Sequence, residues 1–406
     1  MAFSRLLIRS IDDSLRALVG RLREAPTPAD ADELGELLRR ENARGGSRRK
    51  EIIDYVEPVV CGLSRDFACS GRVSALLGLA VHHVLAGANE RALRATSIAV
   101  DVAGRLGDGA WIGKAQKVHG ATLMETGNIP EAIEAFAEAL KQSRAIGDLQ
   151  QECAVWVNLG VAHQYSQHYG DAIACFERAV ELAGNDPSMQ HLKELGWTNI
   201  AHASLQIRDV ARGMNAARMA LLQPEPKSSM ERTNRVFAQQ YYCRLLLEVG
   251  LVEQALTQAS LAREMAALAG TDRAMIVAEL AVGLAEVHAG QQESGLRRLT
   301  SMMERARRGQ IGMLADCLLA AIKGYEAAGQ SNVALVYMRE LARMNKDRRS
   351  SQVLLHHRRH LSNIDEAHDQ SALTAMQDQE SALKERLHDR QVIKAMVEML
   401  EKESVA

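Results

Sequence analysis

The sequence predicts an all-α solenoid of paired antiparallel helices. Three observations predict it: small residues recur at a nearly fixed interval, prolines number seven in 406 residues, and aromatics make up only 4% of the chain. The interval is carried by Ala80, Gly120, Gly160, Ala201, Cys243, Gly283 and Ile322, spaced 39 to 42 residues apart. Each is followed by a second small residue: Ala92, Ala132, Ala172, Gly213, Ala255, Gly295 and Ala334. Small residues in both helices of a pair let two backbones approach closely. One hairpin cannot bury its apolar face alone, so successive hairpins must stack.

In chain order, residues 1–72 read as a helical cap. Phe3, Leu7, Ile11, Leu15, Leu18 and Leu22 trace one face of a first helix. PTPAD breaks it, and Asp30 or Asp32 is expected to cap a second helix through Leu38. ENARGGSRRK reads as a loop, and EIIDYVEPVVCGL as an apolar stretch interrupted at Pro58. An open solenoid end needs such a cap; an effector-binding head is the other reading.

The repeats occupy 73–348, about seven pairs. Their clearest copy is WVNLGVAHQYSQHYGDAIACFERA, with Trp156, Leu159 and Gly160 on one helix and Ala172, Phe176 and Ala179 on the next. His168, Tyr169 and Gly170 are expected to form the turn between them, and Trp156, Phe136 and Phe176 to be buried. Gly120, Leu123, Gly127, Ala132, Phe136 and Ala139 repeat the pattern upstream. These two copies resemble the tetratricopeptide repeat family. That family's usual period is about 34 residues; the longer period here is similar to that of kinesin light chains and of bacterial quorum-sensing peptide receptors. The pattern departs most at Gly213 and Gly295, where Ala is usual. The resemblance implies a right-handed superhelix of helix pairs and a binding role.

Composition narrows the function. A formal charge of −2 argues against a nucleic-acid partner. No apolar run is long enough to span a bilayer, and the N-terminal stretch lacks a secretory pattern, so a cytoplasmic protein is expected. Cys61, Cys69, Cys153, Cys175, Cys243 and Cys317 include no pair at metal-ligand spacing. His356 and His360 lie one helical turn apart, but two arginines separate them and a solvated basic face explains them better. No phosphate loop, nucleophile elbow or zinc spacing is present. The reading is of a non-enzyme without cofactor or metal.

Binding features are more specific. Asn158 in VNLG and Asn199 in TNIA take the same place in successive repeats. An amide donates and accepts, so two in register suit an extended peptide backbone; in proteins with this longer repeat, Asn here resembles a backbone-holding ladder. Val161, Tyr165, His202, Leu205, Gln240 and Arg244 are expected to complete a groove floor for a peptide or protein segment. Residues 349–406 read as a basic connector and a long helix over Asn363–Glu403. Leu373, Met376, Leu383 and Leu387 give it a short seam, leaving homodimerisation and plain capping both open. The end, VIKAMVEMLEKESVA, resembles the helix leading into HD-GYP cyclic-di-GMP phosphodiesterase domains. The function expected is a regulatory, peptide-binding module in bacterial-type signalling. The alternatives are the regulatory region of such a phosphodiesterase and a passive scaffold.

Overall fold

In the computed structural model, residues 13–44, 47–86, 88–309 and 313–344 are described. They are helical apart from short connections, with no strand among them. The chain forms two compact units, residues 1–167 and 168–406. Phe3, Leu7 and Ile11 lie outside the described residues, as do His356, His360, the expected helix Asn363–Glu403 with its seam, and the phosphodiesterase-like end.

The first unit contains α1 (Asp13–Glu24), α2 (Pro28–Arg44), α3 (Ser47–Gly62) and α4 (Ser70–Leu85), then α5 (Asn89–Leu106), α6 (Gly109–Glu125), α7 (Ile129–Ile146) and α8 (Leu149–Tyr165). One core runs from Leu15, Leu18 and Leu22 through Leu34 and Val56 to Leu76, Ala99 and Ala115. The region read as a cap therefore shares its core with the first repeat helices. Helices α2 and α4 meet backbone to backbone: a Cβ on Gly71 would lie 2.2 Å from the Asp32 nitrogen.

Three expectations here are corrected. The cap of α2 is Thr27, whose Oγ1 accepts from the Asp30 N–H at 3.2 Å, so Asp30 lies inside the first turn and binds Arg21 instead. The stretch read as a loop is helical to Arg44 and again from Ser47. Glu36 and Arg40, one turn apart and bonded at 2.7 Å, support that extension of α2. Pro58 does not interrupt α3, which continues to Gly62. Proline removes one backbone donor and crowds the preceding turn, but Val59 and Val60, buried in the core, hold the last turn in place.

The second unit contains α9 (Tyr169–Ala183), a 3-10 turn (Pro187–Met189), α10 (Gln190–Gln206), α11 (Val210–Leu221), α12 (Ser229–Glu248), α13 (Val252–Ala269), α14 (Asp272–His288), α15 (Gln292–Gly309) and α16 (Leu314–Ala327). A last helix, α17, covers 331–344. Each helix packs on the next, and α10, α12, α14 and α16 also pack in a row. Helix starts follow the local chemistry. Asp209 accepts from the Arg212 N–H, Thr271 from Ala274, and Ser228 with Glu231 forms a reciprocal capping box.

All fourteen small-residue positions of the two recurring sets are buried. The departures from alanine have steric causes. A Cβ on Gly295 would lie 2.5 Å from the Gly283 carbonyl oxygen, and one on Gly213 would lie 2.8 Å from Leu245 Cδ2. Phe136 and Phe176 are fully buried, whereas Trp156 is only half-buried. Its Nε1 donates to Glu152 Oε1 at 3.4 Å, and the Arg144 guanidinium lies 5.7 Å from its ring centre. The polar edge of the indole and this cation keep the residue at the surface.

Among the described residues, the hairpin turns of the later pairs use one left-handed residue each: Gly127, Gln167, Arg208, Gly250, Gly290 and Gly329. The turn expected at His168–Gly170 is therefore centred two residues earlier, on Gln167, and Tyr169 and Gly170 already belong to α9. Its glycine is not the left-handed residue; Gln167 is, at φ 63°.

Between α10 and α12 lies a buried ion pair, both side chains 6% exposed. Arg235 Nε donates to Glu194 Oε1 at 2.7 Å and Nη2 to Oε2 at 3.1 Å. Nη2 also donates to the Gln223 and Pro224 carbonyls at 3.0 and 2.8 Å. Burial raises the Glu194 carboxyl above its usual range, against the opposing pull of Arg235.

Two outcomes are expected in urea unfolding. Gly295→Ala costs about 1–3 kcal/mol, because its methyl meets the Gly283 carbonyl oxygen and the Val287 nitrogen as well as Val287 Cγ2, and the backbone atoms cannot move aside; an unchanged midpoint contradicts the close approach. Glu194→Ala costs about 3–5 kcal/mol by leaving a buried guanidinium uncompensated, and adding Arg235→Met recovers part of it. If the double variant is no more stable than Glu194→Ala, the pair is not the source of the loss.

Candidate functional site

The repeat register separates two kinds of position on the first helix of each pair. The core register contains Ala201, Cys243, Gly283 and Ile322, all buried. The next residue, one step along the helix, is His202, Arg244, Leu284 and Lys323 in turn. Two residues before the core position stand Asn199, Tyr241, Ala281 and Ala320. These neighbouring registers vary in chemistry while the core register keeps small or apolar residues.

Of the expected site residues, Asn158, Val161 and Tyr165 belong to α8 of the first unit; Asn158 and Val161 are half-buried and Tyr165 is exposed. The other five belong to the second unit. Asn199 is half-buried and its Nδ2 donates to the Leu195 carbonyl at 2.9 Å, which orients the amide along its own helix. His202 stacks on Tyr241, with ring centres 4.9 Å apart and planes 18° from parallel. Its Nε2 is 3.2 Å from Gln206 Nε2. Leu205 and Gln240 are buried at 8% and 5% exposure. Both are one residue out of the register that carries Tyr165 and Asn199: the register partners in these repeats are Gln206 and Tyr241.

Burial and the Arg244 charge push the His202 imidazole down to about 4. Burial pushes the Tyr241 phenol up and Cys243 up to about 12. The Cys153 and Cys175 thiols, also buried, are raised to about 11. Such thiols stay protonated near neutral pH and act as small apolar groups.

Further along the row, Lys323 Nζ on α16 donates to Glu248 Oε1 on α12 at 2.6 Å. His288 on α14 bonds through Nδ1 to the Leu284 carbonyl at 2.9 Å. A carbonyl only accepts, so Nδ1 carries the proton. Arg273 lies over the Phe237 ring, 5.2 Å from its centre. Tyr241, Glu248, His288 and Lys323 were not among the sequence-based site residues. Their residue types differ from repeat to repeat, and only strict counting from the core register finds them. Among the described residues no helix is long and apolar enough to cross a membrane.

A family model described as tetratricopeptide repeat matches residues 111–185. No curated protein matches the chain. Solved structures that share the fold include the following two. A Rap protein complexed with Competence and Sporulation Factor is 11% identical, with 80% of this chain and 88% of that one covered at a TM-score of 0.64. The apo form of the quorum sensor NprR from B. thuringiensis is 12% identical, with 78% and 86% covered at a TM-score of 0.59. Residues 111–185 thus match tetratricopeptide repeats, within an all-α solenoid fold similar to that of these two structures.

The His202 environment gives a pH signature. The folded imidazole titrates near 4 and the unfolded one near 6.5. Between these values the unfolded chain binds a proton that the folded chain refuses, so stability falls as pH drops from about 6.5 toward 4. The loss is on the order of 1–2 kcal/mol, after discounting for the ring's partial exposure. His202→Gln removes this share of the pH dependence. Melting curves at neutral and acidic pH check it, and identical slopes for parent and variant would contradict it.

Proposed function

We propose that this chain is a regulatory peptide-binding module that holds an extended peptide or protein segment along the first helices of its repeats. The observation that carries the reading is the row of polar and aromatic side chains beside the core register. Asn199, His202, Tyr241, Arg244 and Lys323 all fall in it. The likeness to a Rap protein bound to Competence and Sporulation Factor and to the quorum sensor NprR supports the reading.

In this reading Asn158 and Asn199 hold the ligand backbone, and Val161, Tyr165, His202, Leu205, Gln240 and Arg244 frame its side chains. The chain has no catalytic role of its own; it acts in the cytoplasm and passes its signal to a partner domain or protein. A homodimer through residues 363–403 belongs to the same reading.

The test is affinity selection of a pooled synthetic peptide library on the immobilised full chain, followed by calorimetric titration of the retained peptides. Replacing Asn158 and Asn199 together by Ala weakens binding roughly ten- to hundred-fold, from two net hydrogen bonds of about 0.5–1.5 kcal/mol each. The melting curve stays the same. Unchanged affinity with an intact fold removes the two amides from the mechanism, and retention of no peptide at all removes the peptide-binding reading.

A further inference from the structure

Helix α17 exposes a face that the corresponding helices keep buried. Four residues after the small position of each earlier second helix stand Thr96, Phe136, Phe176, Ala217, Ala259 and Leu299, none more than 1% exposed. The same position on α17 is Met338, 37% exposed, and Leu335 on the same face is 45% exposed. Their counterparts on α15 show what such a face fits. Leu296 and Leu299 lie under the next first helix: a Cβ on Gly324 of α16 would lie 3.6 Å from Leu296 Cδ2 and would collide with Leu299 Cδ1. Beside them, Thr300 Oγ1 is 3.1 Å from Tyr325 Oη of the same helix. On α17 the place of Thr300 is taken by Arg339, which is exposed. The seat is thus shaped for one more helix, with a cation on its flank.

We propose that residues 353–366 of the same chain, which lie outside the described residues, dock on this seat as a further first helix. The connections from a second helix to the next first helix are short: Leu221 to Ser229, Ala269 to Asp272, Gly309 to Leu314. Ser351 follows Met344 at a similar distance and is a residue suited to cap a helix start. Leu354, Leu361 and Ile364 fall on one helical face, at steps of seven and three. Leu361 stands 39 residues after Ile322, within the repeat interval. Asp365 comes one turn after Leu361, as Tyr325 comes one turn after Ile322, so a carboxylate meets Arg339 where a hydroxyl meets Thr300. Ala372, Leu373 and Met376 then repeat the spacing of Ala334, Leu335 and Met338, as the second helix of such a pair requires.

The other occupant of the right shape is α17 of a second copy. Charge opposes it. A two-fold contact pairs a surface with itself, and Arg339 and Arg343, both exposed along this helix, would face their own mates. The acidic end of the 353–366 segment complements them instead.

The experiment is hydrogen–deuterium exchange of the full chain, read by mass spectrometry on peptic fragments, with light scattering at a low and a high concentration. Fragments covering 353–366 are expected to exchange roughly ten- to hundred-fold more slowly than the same sequence as a free synthetic peptide, at both concentrations. Met338→Glu brings them to the free-peptide rate while fragments of α16 keep their protection. Leu361→Glu does the same from the other side of the contact. Free-peptide exchange in the parent chain overturns the proposal, as does protection that survives both substitutions. Protection that is lost on dilution, together with a dimer in light scattering, gives the seat to a second copy and overturns the contact within the chain. If Met338→Glu also strips α16 of protection, Leu361→Glu decides. Loss confined to 353–366 in that variant upholds the docking, and full protection there overturns it.

Discussion

The structure depends on the close approach of two helices at small residues, repeated along the chain. Where Gly283 faces Gly295, the gap admits no methyl group: a Cβ on either glycine would come within about 3 Å of the other's carbonyl oxygen. At such a distance the helices fill each other's grooves, and large residues such as Phe136 and Phe176 are enclosed completely. No single hairpin provides that enclosure; each pair is completed by the next. The chain can therefore grow by adding pairs, with alanine the commonest residue among the buried positions.

On the first helices of the second unit, a register of fixed chemistry lies next to one whose chemistry varies. The core register is held to Ala, Cys, Gly and Ile in the second unit, while the residue beside it changes from His202 to Arg244, Leu284 and Lys323. Free variation beside a fixed register is what a recognition surface requires, because its chemistry can be set by the ligand without altering the fold. The stacked pair His202–Tyr241, the Lys323–Glu248 bridge and the buried Arg244 all lie in that variable band.

Much of this was legible in the sequence, for identifiable reasons. Excluded volume allows few residue types at a close approach, so the interval from Ala80 to Ile322 could be read directly. Turn chemistry was less legible. Gln167 and Arg208 take left-handed conformations that usually signal glycine, and Gly170 nearby drew the turn to the wrong residue. Pro58 reads as a break, but buried valines hold the last turn of α3 in place, and the Arg-rich stretch after Glu41 is helical to Arg44 and again from Ser47. The candidate groove was legible in part. Asn158 and Asn199 stood out because they repeat. Leu205 and Gln240 stand one residue away from the register positions of Tyr165 and Asn199. Tyr241, His288 and Lys323 share a surface without sharing a residue type, so no recurrence marked them.

The central claim is that adjacent registers of the same helices have separate duties, one for the stack and one for recognition. A leucine scan of the second unit measures this directly by thermal denaturation. Leucine at Ala201, Cys243 or Gly283 is predicted to lower the melting temperature, because each site lacks room for the added atoms. Leucine at His202, Arg244 or Lys323 is predicted to leave it unchanged or raise it. Equal losses in both registers would contradict the account, since the variable band would then be part of the core.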